Sequence, residues 1–295
     1  MKKEVTRAII ILVLVLLSSQ IIDLYITYGF LQGNQIDDKD NRYWEYENGV
    51  NVEVNPIVLE GTSGECWVLV HGYTATPDVF QELADEIHNT FNDSVYAPLL
   101  LGHGMVPSEL LKYSMDDWYE QIENLALEKK CTHFVGSSMM SSLVLKYSEE
   151  YTTEKIVLLS MYTDVHMQTA LDRFKFGIIP TLGKYKKKTT LGSIIDSQGL
   201  EDHISTWVAP LQPVVDYEKD FFPRVMDNLD EINGDVLFIH ARNDTVVDMD
   251  SARMVFDSIS VSKEFIIVDG EHVMLRDFDK GNVIQHIIDF RQKSS

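Results

Sequence analysis

The sequence predicts an α/β fold in which a mainly parallel β-sheet is covered by helices on both faces. Short strands alternate with amphipathic helices over most of the chain, which is typical of parallel sheets. The strands, such as 65–70 and 235–240, are almost continuously apolar, as expected when both faces of a strand are buried. With 295 residues and 45% hydrophobic side chains, the chain is long enough for one large domain and an appendage.

The individual elements follow from apolar periodicity and from turn residues. The helix over 77–91 begins at a proline, which suits the first turn of a helix. Ser114 is the expected N-cap of the helix over 114–127, and Asp250 that of the helix over 250–259. The other predicted elements are strands at 52–59, 65–70, 94–101, 133–135, 155–160, 235–240 and 263–268, and helices at 139–147 and 282–290.

Residues 1–30 are predicted to form a membrane anchor. Basic residues precede an unbroken apolar run from Ala8 to Leu17, and weaker apolar character continues beyond it. Since roughly 20 residues cross a bilayer as a helix, we expect an uncleaved transmembrane helix. The competing signal peptide needs small residues at the first and third positions before its cleavage site. A cut after Ser19 would leave the large Leu17 at the third position. The positive-inside rule places the remaining chain on the non-cytoplasmic side.

The residues after the anchor divide into a tether and one folded domain. Residues 31–50 are polar and acidic, which predicts a tether, and residues 51–295 form the α/β domain.

The formal net charge of −21 argues against nucleic acid as a partner. The only two cysteines, Cys66 and Cys131, exclude a disulfide-dense scaffold and a cysteine-built metal site. We expect them to be buried free thiols, the alternative being a disulfide in an oxidising compartment.

Ser138 is the residue in this chain best placed to act as a nucleophile. An apolar strand ends at Gly136, a serine-rich corner follows, and a helix begins near Met139. A nucleophile elbow has this layout, with small residues two positions before and after the serine. Ser138 is the only serine of the corner with a glycine at the earlier position, although Met140 occupies the later one. The alternative is an ordinary helix N-cap serine.

Two further polar side chains directly follow predicted strands. They are Asp244 and His272, and in open α/β sheets ligands bind at the carboxyl ends of the strands. A hydroxyl needs a base to remove its proton, and a carboxylate can orient that base. Asp248 and Asp250 lie close enough in sequence to be alternatives to Asp244. The chain order Ser, Asp, His is one of the known orders of such a triad.

Four short motifs complete this pattern: His71-Gly72-Tyr73-Thr74, Pro98 through Gly102-His103-Gly104, Asp117-Trp118 and Ala241-Arg242-Asn243-Asp244. Together they resemble the bacterial carboxylesterases and monoacylglycerol lipases of the α/β-hydrolase superfamily. The resemblance covers about 55–160 and 234–292. It implies an α/β-hydrolase fold and a serine hydrolase of carboxylic esters that needs no metal and no organic cofactor.

The resemblance also implies a role for each matching residue. Ser138 is the nucleophile, His272 the general base and Asp244 the acid, while the backbone N–H groups of Tyr73 and Met139 form the oxyanion hole. We expect His71 and His103 to hold loops around the pocket and to take no part in the chemistry. Met140 departs from the family pattern, which leaves the tightness of the elbow open.

Residues 161–233 are predicted to form a cap over Ser138. Its flexible and aromatic side chains suit an apolar acyl chain or, alternatively, pack the cap onto the domain. The pocket residues we expect are Met161, Tyr162, Met167 and Phe174. The cap also holds the one basic cluster of this acidic chain, which is either a solvated loop or faces a membrane: Lys184, Lys186, Lys187 and Lys188.

The sequence therefore favours a membrane-anchored hydrolase acting on a small-molecule or lipid ester through an acyl-enzyme intermediate. A second hypothesis keeps the same triad but transfers the acyl group to another acceptor or cleaves a thioester. A third, motivated by Met140, is a non-catalytic binding module with the same fold.

Overall fold

The structure is a computed structural model that describes residues 44–163, 185–188, 194–206 and 208–293, with Arg7 and Ser18 as isolated positions. The predicted anchor at 1–30 and most of the predicted tether lie outside the described residues. Within the described part of the chain, no helix has the length and apolar character needed to cross a bilayer.

A seven-stranded sheet occupies the centre of the described chain. Its strand order is β11-β10-β7-β6-β4-β5-β3, and every neighbouring pair is parallel except β3 with β5. This confirms the mainly parallel sheet. The strands of the sheet are β3 (Ile57–Leu59), β4 (Cys66–Val70), β5 (Ser94–Ala97), β6 (His133–Ser137), β7 (Lys155–Leu159), β10 (Asp235–Ala241) and β11 (Lys263–Val268).

Helices cover both faces of this sheet, as the apolar strands predict. Alternate residues of β4 point to opposite faces, so Val68 belongs to one apolar cluster and Trp67 to the other. Five longer helices occur among the described residues: α1 (Gln81–Phe91), α2 (Met115–Lys129), α3 (Ser141–Glu150), α7 (Met249–Ser258) and α8 (Lys280–Gln292). Helices α1 and α8 bury residues in the Trp67 cluster, while α2 and α3 bury theirs in the Val68 cluster.

The N-caps of two helices test the predicted helix starts. Ser114 caps α2 through a reciprocal capping box with Asp117, which confirms the prediction. The N-cap of α7 is Asp248, whose side chain accepts the backbone N–H of Asp250, so the prediction of Asp250 as the cap is wrong. Asp250 lies inside the first turn, where a negative side chain still interacts favourably with the helix dipole.

Cys66 and Cys131 form a disulfide, which corrects the expectation of two free thiols. The parallel strands β4 and β6 are neighbours, and each cysteine lies near the start of its strand. Their Cα atoms are 4.5 Å apart, within the range that a disulfide requires. The bond closes a long loop because 65 positions separate the two residues.

The end of the predicted tether is folded. Strands β1 (Tyr46–Glu47) and β2 (Val50–Asn51) form a small antiparallel hairpin. The backbone N–H of Asn51 donates to the carbonyl of Gly104, which joins this hairpin to the body of the domain. Folded structure therefore begins several residues before position 51.

The insertion between β7 and β10 carries its own short elements. Strands β8 (Tyr185–Lys187) and β9 (Val208–Pro210) pair antiparallel outside the main sheet. Among its described residues, this region contains the helices α4 (Ser197–Asp202), α5 (Gln212–Asp216) and α6 (Phe222–Met226), with a π-helical turn at Tyr217–Phe221. We call this region the cap, as defined by residues 161–233.

Candidate active site

Ser138 lies at the sharp corner between β6 and α3. Its φ angle is 55°, in the left-handed region that a residue with a side chain seldom adopts. A Cβ atom on Gly136 would lie 2.7 Å from the Cα of Ser141, so only glycine fits where the strand passes the helix. This is the strained strand–turn–helix geometry of a nucleophile elbow.

Met140 does not loosen this corner. Its side chain is completely buried and packs in the apolar cluster that includes Leu143 and Val144. The close approach of strand and helix occurs between Gly136 and Ser141, and residue 141 is small. A large side chain at position 140 is therefore compatible with the elbow, because it points into the core and not between strand and helix.

The structure brings Ser138, His272 and Asp244 together in one hydrogen-bonded line. His272 Nε2 lies 2.9 Å from Ser138 Oγ, and His272 Nδ1 lies 2.8 Å from Asp244 Oδ2. The three residues follow β6, β11 and β10, so the carboxyl ends of the strands supply the whole arrangement. Asp248 caps a helix, which removes it as an alternative partner for His272.

The loop after β10 holds Asp244 in its charged form. Burial by itself would raise the pKa of Asp244, but the charge and hydrogen bond of His272 and the N–H of Val247 together lower it below its usual value. Asp244 Oδ1 accepts the N–H groups of Val246 and Val247 at 2.9 and 2.8 Å, which leaves Oδ2 for the imidazole. The carboxylate is thus fixed from both sides.

His71 and His103 lie beside the site and organise its loops. His71 Nε2 accepts the N–H of Leu100 at 3.2 Å, while Nδ1 lies 3.1 Å from the carbonyl of Gly72. Burial lowers the pKa of His71 to about 4, so the ring is neutral and joins two loops. The His103 ring packs edge-on against His71 and Trp118. Both residues therefore fit the predicted structural role.

The loop after β4 carries Tyr73 next to the serine. A Cβ atom on Gly72 would lie 3.4 Å from the Cβ of Ser138, which brings the backbone of the loop close to the elbow. The hydroxyl of Tyr73 donates to the carbonyl of Pro210 in the cap at 2.8 Å. The Met139 N–H directly follows the serine at the start of the helical turn Ser138–Met140. The loop after β4 and the Met139 backbone thus both lie next to Ser138.

The cap residues proposed to line the substrate pocket divide into two groups. Met161 is 1% exposed and packs in the same apolar cluster as Met139 and Met140. The hydroxyl of Tyr162 donates to Glu218 of the cap. These contacts fit the packing alternative as well as a pocket wall. Met167 and Phe174 lie outside the described residues.

The sequence did not point to His240 or Ser160, which the structure places around Asp244. His240 is buried, and its Nε2 lies 3.8 Å from Asp244 Oδ2. Ser160 follows β7 with a φ angle of 41° and is fully buried. The available clue was weak: each is a polar residue at the end of an apolar strand, a pattern shared with many buried residues.

One group among the described residues could hold a metal ion. Potential ligand atoms of Glu65, His133 and Glu154 all lie within 4.8 Å of one another. These residues stand at the amino ends of β4, β6 and β7, opposite the end that carries Ser138. The hydrogen-bonded line of Ser138, His272 and Asp244 does not include these three residues.

Comparison with known proteins agrees with this architecture. No family model matches the chain. The chain is 22% identical over 252 residues to a carboxylesterase of Bacillus subtilis (strain 168), covering 82% of this chain and 98% of that protein. A metagenome-derived lipolytic enzyme superposes with a TM-score of 0.72 at 20% identity, covering 83% of this chain and 100% of that one. A monoacylglycerol lipase of Paleococcus ferrophilus gives 0.67 at 15% identity, covering 81% and 98%.

These likenesses and the sheet topology define an α/β-hydrolase fold. The three proteins compared above, one by sequence and two by fold, are esterases and lipases.

Proposed function

We propose that this chain is a serine hydrolase of carboxylic esters, of the carboxylesterase or monoacylglycerol lipase type. The observation that carries the proposal is the line Ser138 Oγ, His272 and Asp244, with separations of 2.9 and 2.8 Å. The similarity to the carboxylesterase of Bacillus subtilis supports the same substrate class.

The first half of the reaction forms an acyl-enzyme. His272 Nε2 removes the proton from Ser138 Oγ as the oxygen attacks the ester carbonyl, because an unassisted hydroxyl is a weak nucleophile. Asp244 keeps the proton of His272 on Nδ1 and stabilises the imidazolium that forms. The imidazolium then protonates the departing alcohol, which leaves the acyl group on Ser138.

The second half of the reaction uses the same groups with water. His272 deprotonates a water molecule that attacks the acyl-enzyme, and the proton returns to Ser138 as the carboxylic acid leaves. The backbone N–H groups of Tyr73 and Met139 stabilise the oxyanion in both halves. Each such donor contributes on the order of 3 kcal/mol to transition-state stabilisation in known enzymes.

Hydrolysis of p-nitrophenyl esters of increasing chain length, by protein lacking residues 1–30, tests the proposal. We expect turnover by the wild type and its loss in Ser138→Ala. The matched control is Ser137→Ala, which removes the neighbouring hydroxyl at the end of β6. Well-folded wild type without turnover on any ester would contradict the proposal and favour the non-catalytic module.

The same assay separates hydrolysis from acyl transfer and from thioester cleavage. An acyltransferase would release p-nitrophenol faster when an acceptor alcohol is added and would yield a new ester in place of the free acid. A thioesterase would turn over the matched thioester with a higher kcat/KM. We expect the free acid as the product and oxygen esters as the better substrates.

We further propose that residues 1–30 anchor the protein in a membrane, with the hydrolase domain on the non-cytoplasmic side. The Cys66–Cys131 disulfide supports this side, because such bonds persist in oxidising compartments. In intact bacterial spheroplasts, externally added protease should digest the domain while a cytoplasmic marker survives. Protection of the domain until the membrane is lysed would contradict this orientation.

A further inference from the structure

Lys188 connects the cap to the loop beside Ser138. Its ammonium group donates to Thr74 Oγ1 at 3.0 Å and to Ser205 Oγ at 2.8 Å. Thr74 directly follows Tyr73 and has a φ angle of 67°, so this part of the loop is tightly turned. Neither alternative predicted for the basic cluster, a solvated loop or a membrane-facing one, describes the Lys188 side chain.

Lys188 has no carboxylate partner among the described residues. Its two acceptors are neutral hydroxyls, although the chain carries a formal net charge of −21. Burial lowers the pKa of Lys188 to about 8, so the side chain is still mostly charged at pH 7. An ammonium has three protons to donate, and a charge held away from water is costly when it lacks an opposite charge.

The titratable groups around Lys188 do not compensate its charge. Burial lowers the pKa of His203 to about 3 and that of His103 well below its usual value, and the charge of Lys188 lowers both further. Both rings are therefore neutral at pH 7. Arg276 and Asp78 pair with each other at 2.8 Å. Among the described residues around it, Lys188 is thus a cation without an opposite charge.

This uncompensated cation belongs to the surroundings of the triad. Thr74, which accepts a hydrogen bond from Lys188 Nζ, lies two residues after Gly72 in the loop that follows β4. The loop that Lys188 contacts also passes Ser138 at Gly72. A substrate bound at Ser138 can therefore place a second functional group near Lys188 Nζ.

We propose that Lys188 binds a negatively charged oxygen group of the substrate, so that the preferred esters carry a carboxylate or a phosphate in addition to the ester bond. This inference rests on the proposed hydrolase function and deepens it. The anion supplies the opposite charge that Thr74 and Ser205 do not. Charge-assisted hydrogen bonds of this kind are stronger than those between neutral groups.

Two pairs of matched esters test the proposal. The first compares p-nitrophenyl hexanoate with the p-nitrophenyl monoester of adipic acid. In the second ester a carboxylate replaces the terminal methyl group of the hexanoyl chain. The second compares a monoacylglycerol with its phosphate monoester, which adds the charge on the alcohol side. The quantity measured is the ratio of kcat/KM for the charged ester to kcat/KM for the neutral ester.

We expect the wild type to favour the charged member of at least one pair at pH 7. Lys188→Met should lower that ratio by roughly tenfold or more, because a charged hydrogen bond is lost. Lys188→Arg should keep more of the preference. The control is Lys219→Met, which removes an exposed lysine of the cap and should leave the ratio unchanged.

A test without any substitution uses pH. As pH rises through about 8, Lys188 loses its proton and the preference should decline. His103 and His203 are already neutral below that pH and do not contribute to the decline.

Two results would overturn the proposal. In the first, the ratio of kcat/KM for charged over neutral ester is the same in the wild type and in Lys188→Met for both pairs of esters, and it does not change with pH. The other is an equal loss on charged and neutral esters in Lys188→Met, which would make Lys188 a structural link only. Turnover of the neutral esters by the wild type tests the hydrolase function separately from these ratios.

Discussion

Gly136 and Ser141 approach each other so closely that a Cβ atom on the glycine would lie 2.7 Å from the serine Cα. The contact is between two backbones, so no side-chain rotation can relieve it. It fixes the distance between β6 and α3, and with it the position of the Ser138 hydroxyl.

Gly136→Ala should therefore damage both stability and activity. Overpacking of this kind costs roughly 1–3 kcal/mol, and the displaced elbow would separate Ser138 from His272. Chemical denaturation and ester hydrolysis measure the two effects. The control is Gly281→Ala in α8, where an added Cβ meets nothing within 4 Å and helix propensity improves. Equal behaviour of the two variants would contradict the close contact.

Asp244→Asn should abolish most of the turnover while the fold survives. The amide can no longer hold the proton of His272 on Nδ1, and in a known triad the equivalent change lowers kcat on the order of 10⁴-fold. Asp248→Asn is the control, because this exposed residue caps α7. It should retain kcat, since asparagine is also a good cap. A larger loss in Asp248→Asn than in Asp244→Asn would contradict the assignment of the acid.

Removal of the disulfide should destabilise the domain. Because 65 positions separate Cys66 from Cys131, the chain-entropy model gives a loss of about 4 kcal/mol, at the upper end of typical values. The double variant Cys66→Ser, Cys131→Ser should unfold at lower denaturant concentration. A reductant should lower the denaturant concentration at which the wild type unfolds, toward the value of the double variant. It should leave the value of the double variant unchanged. No response of the wild type to the reductant would argue against a formed disulfide.

Glu149 should make stability depend on pH. Burial raises the pKa of Glu149 to about 7, against 4.5 for an unperturbed glutamate, and Lys146 only partly offsets this. The folded state therefore binds this proton more tightly than the unfolded state, and stability declines as pH rises between these values. Lys146 also pairs with Glu150 at 2.8 Å, so it keeps a partner in Glu149→Gln.

Free energies of unfolding at about pH 5 and about pH 8 test this expectation. The wild type should lose more stability between the two than Glu149→Gln does. Glu120→Gln, at an exposed position, should behave as the wild type. Parallel pH dependences of the wild type and Glu149→Gln would contradict the burial of this carboxyl.

Some of these features were accessible from the sequence and others were not. Apolar strand runs and their alternation with helices predicted the sheet, because burial on both faces leaves a pattern in consecutive residues. Polar residues directly after three of these strands pointed to Ser138, Asp244 and His272. The disulfide was not predictable in this way, since cysteine is a common buried residue and only the pairing of β4 with β6 brings Cys66 and Cys131 together.

The consequence of Met140 also required coordinates. From the family pattern, a methionine at that position suggests a loose elbow, but the structure shows its side chain fully buried in the core. The direction of a side chain at a turn depends on backbone angles that the sequence does not state. The partners of Lys188 are a similar case, because Thr74 and Ser205 are distant from it along the chain.

The most direct measurement is labelling with a fluorophosphonate probe followed by mass spectrometry of the digested protein. The probe reacts with a serine only when a base activates it. We predict one adduct per chain, on the peptide that holds Ser138, and its loss in His272→Ala with the fold retained. An adduct on a different residue, or an unlabelled but well-folded wild type, would contradict the account.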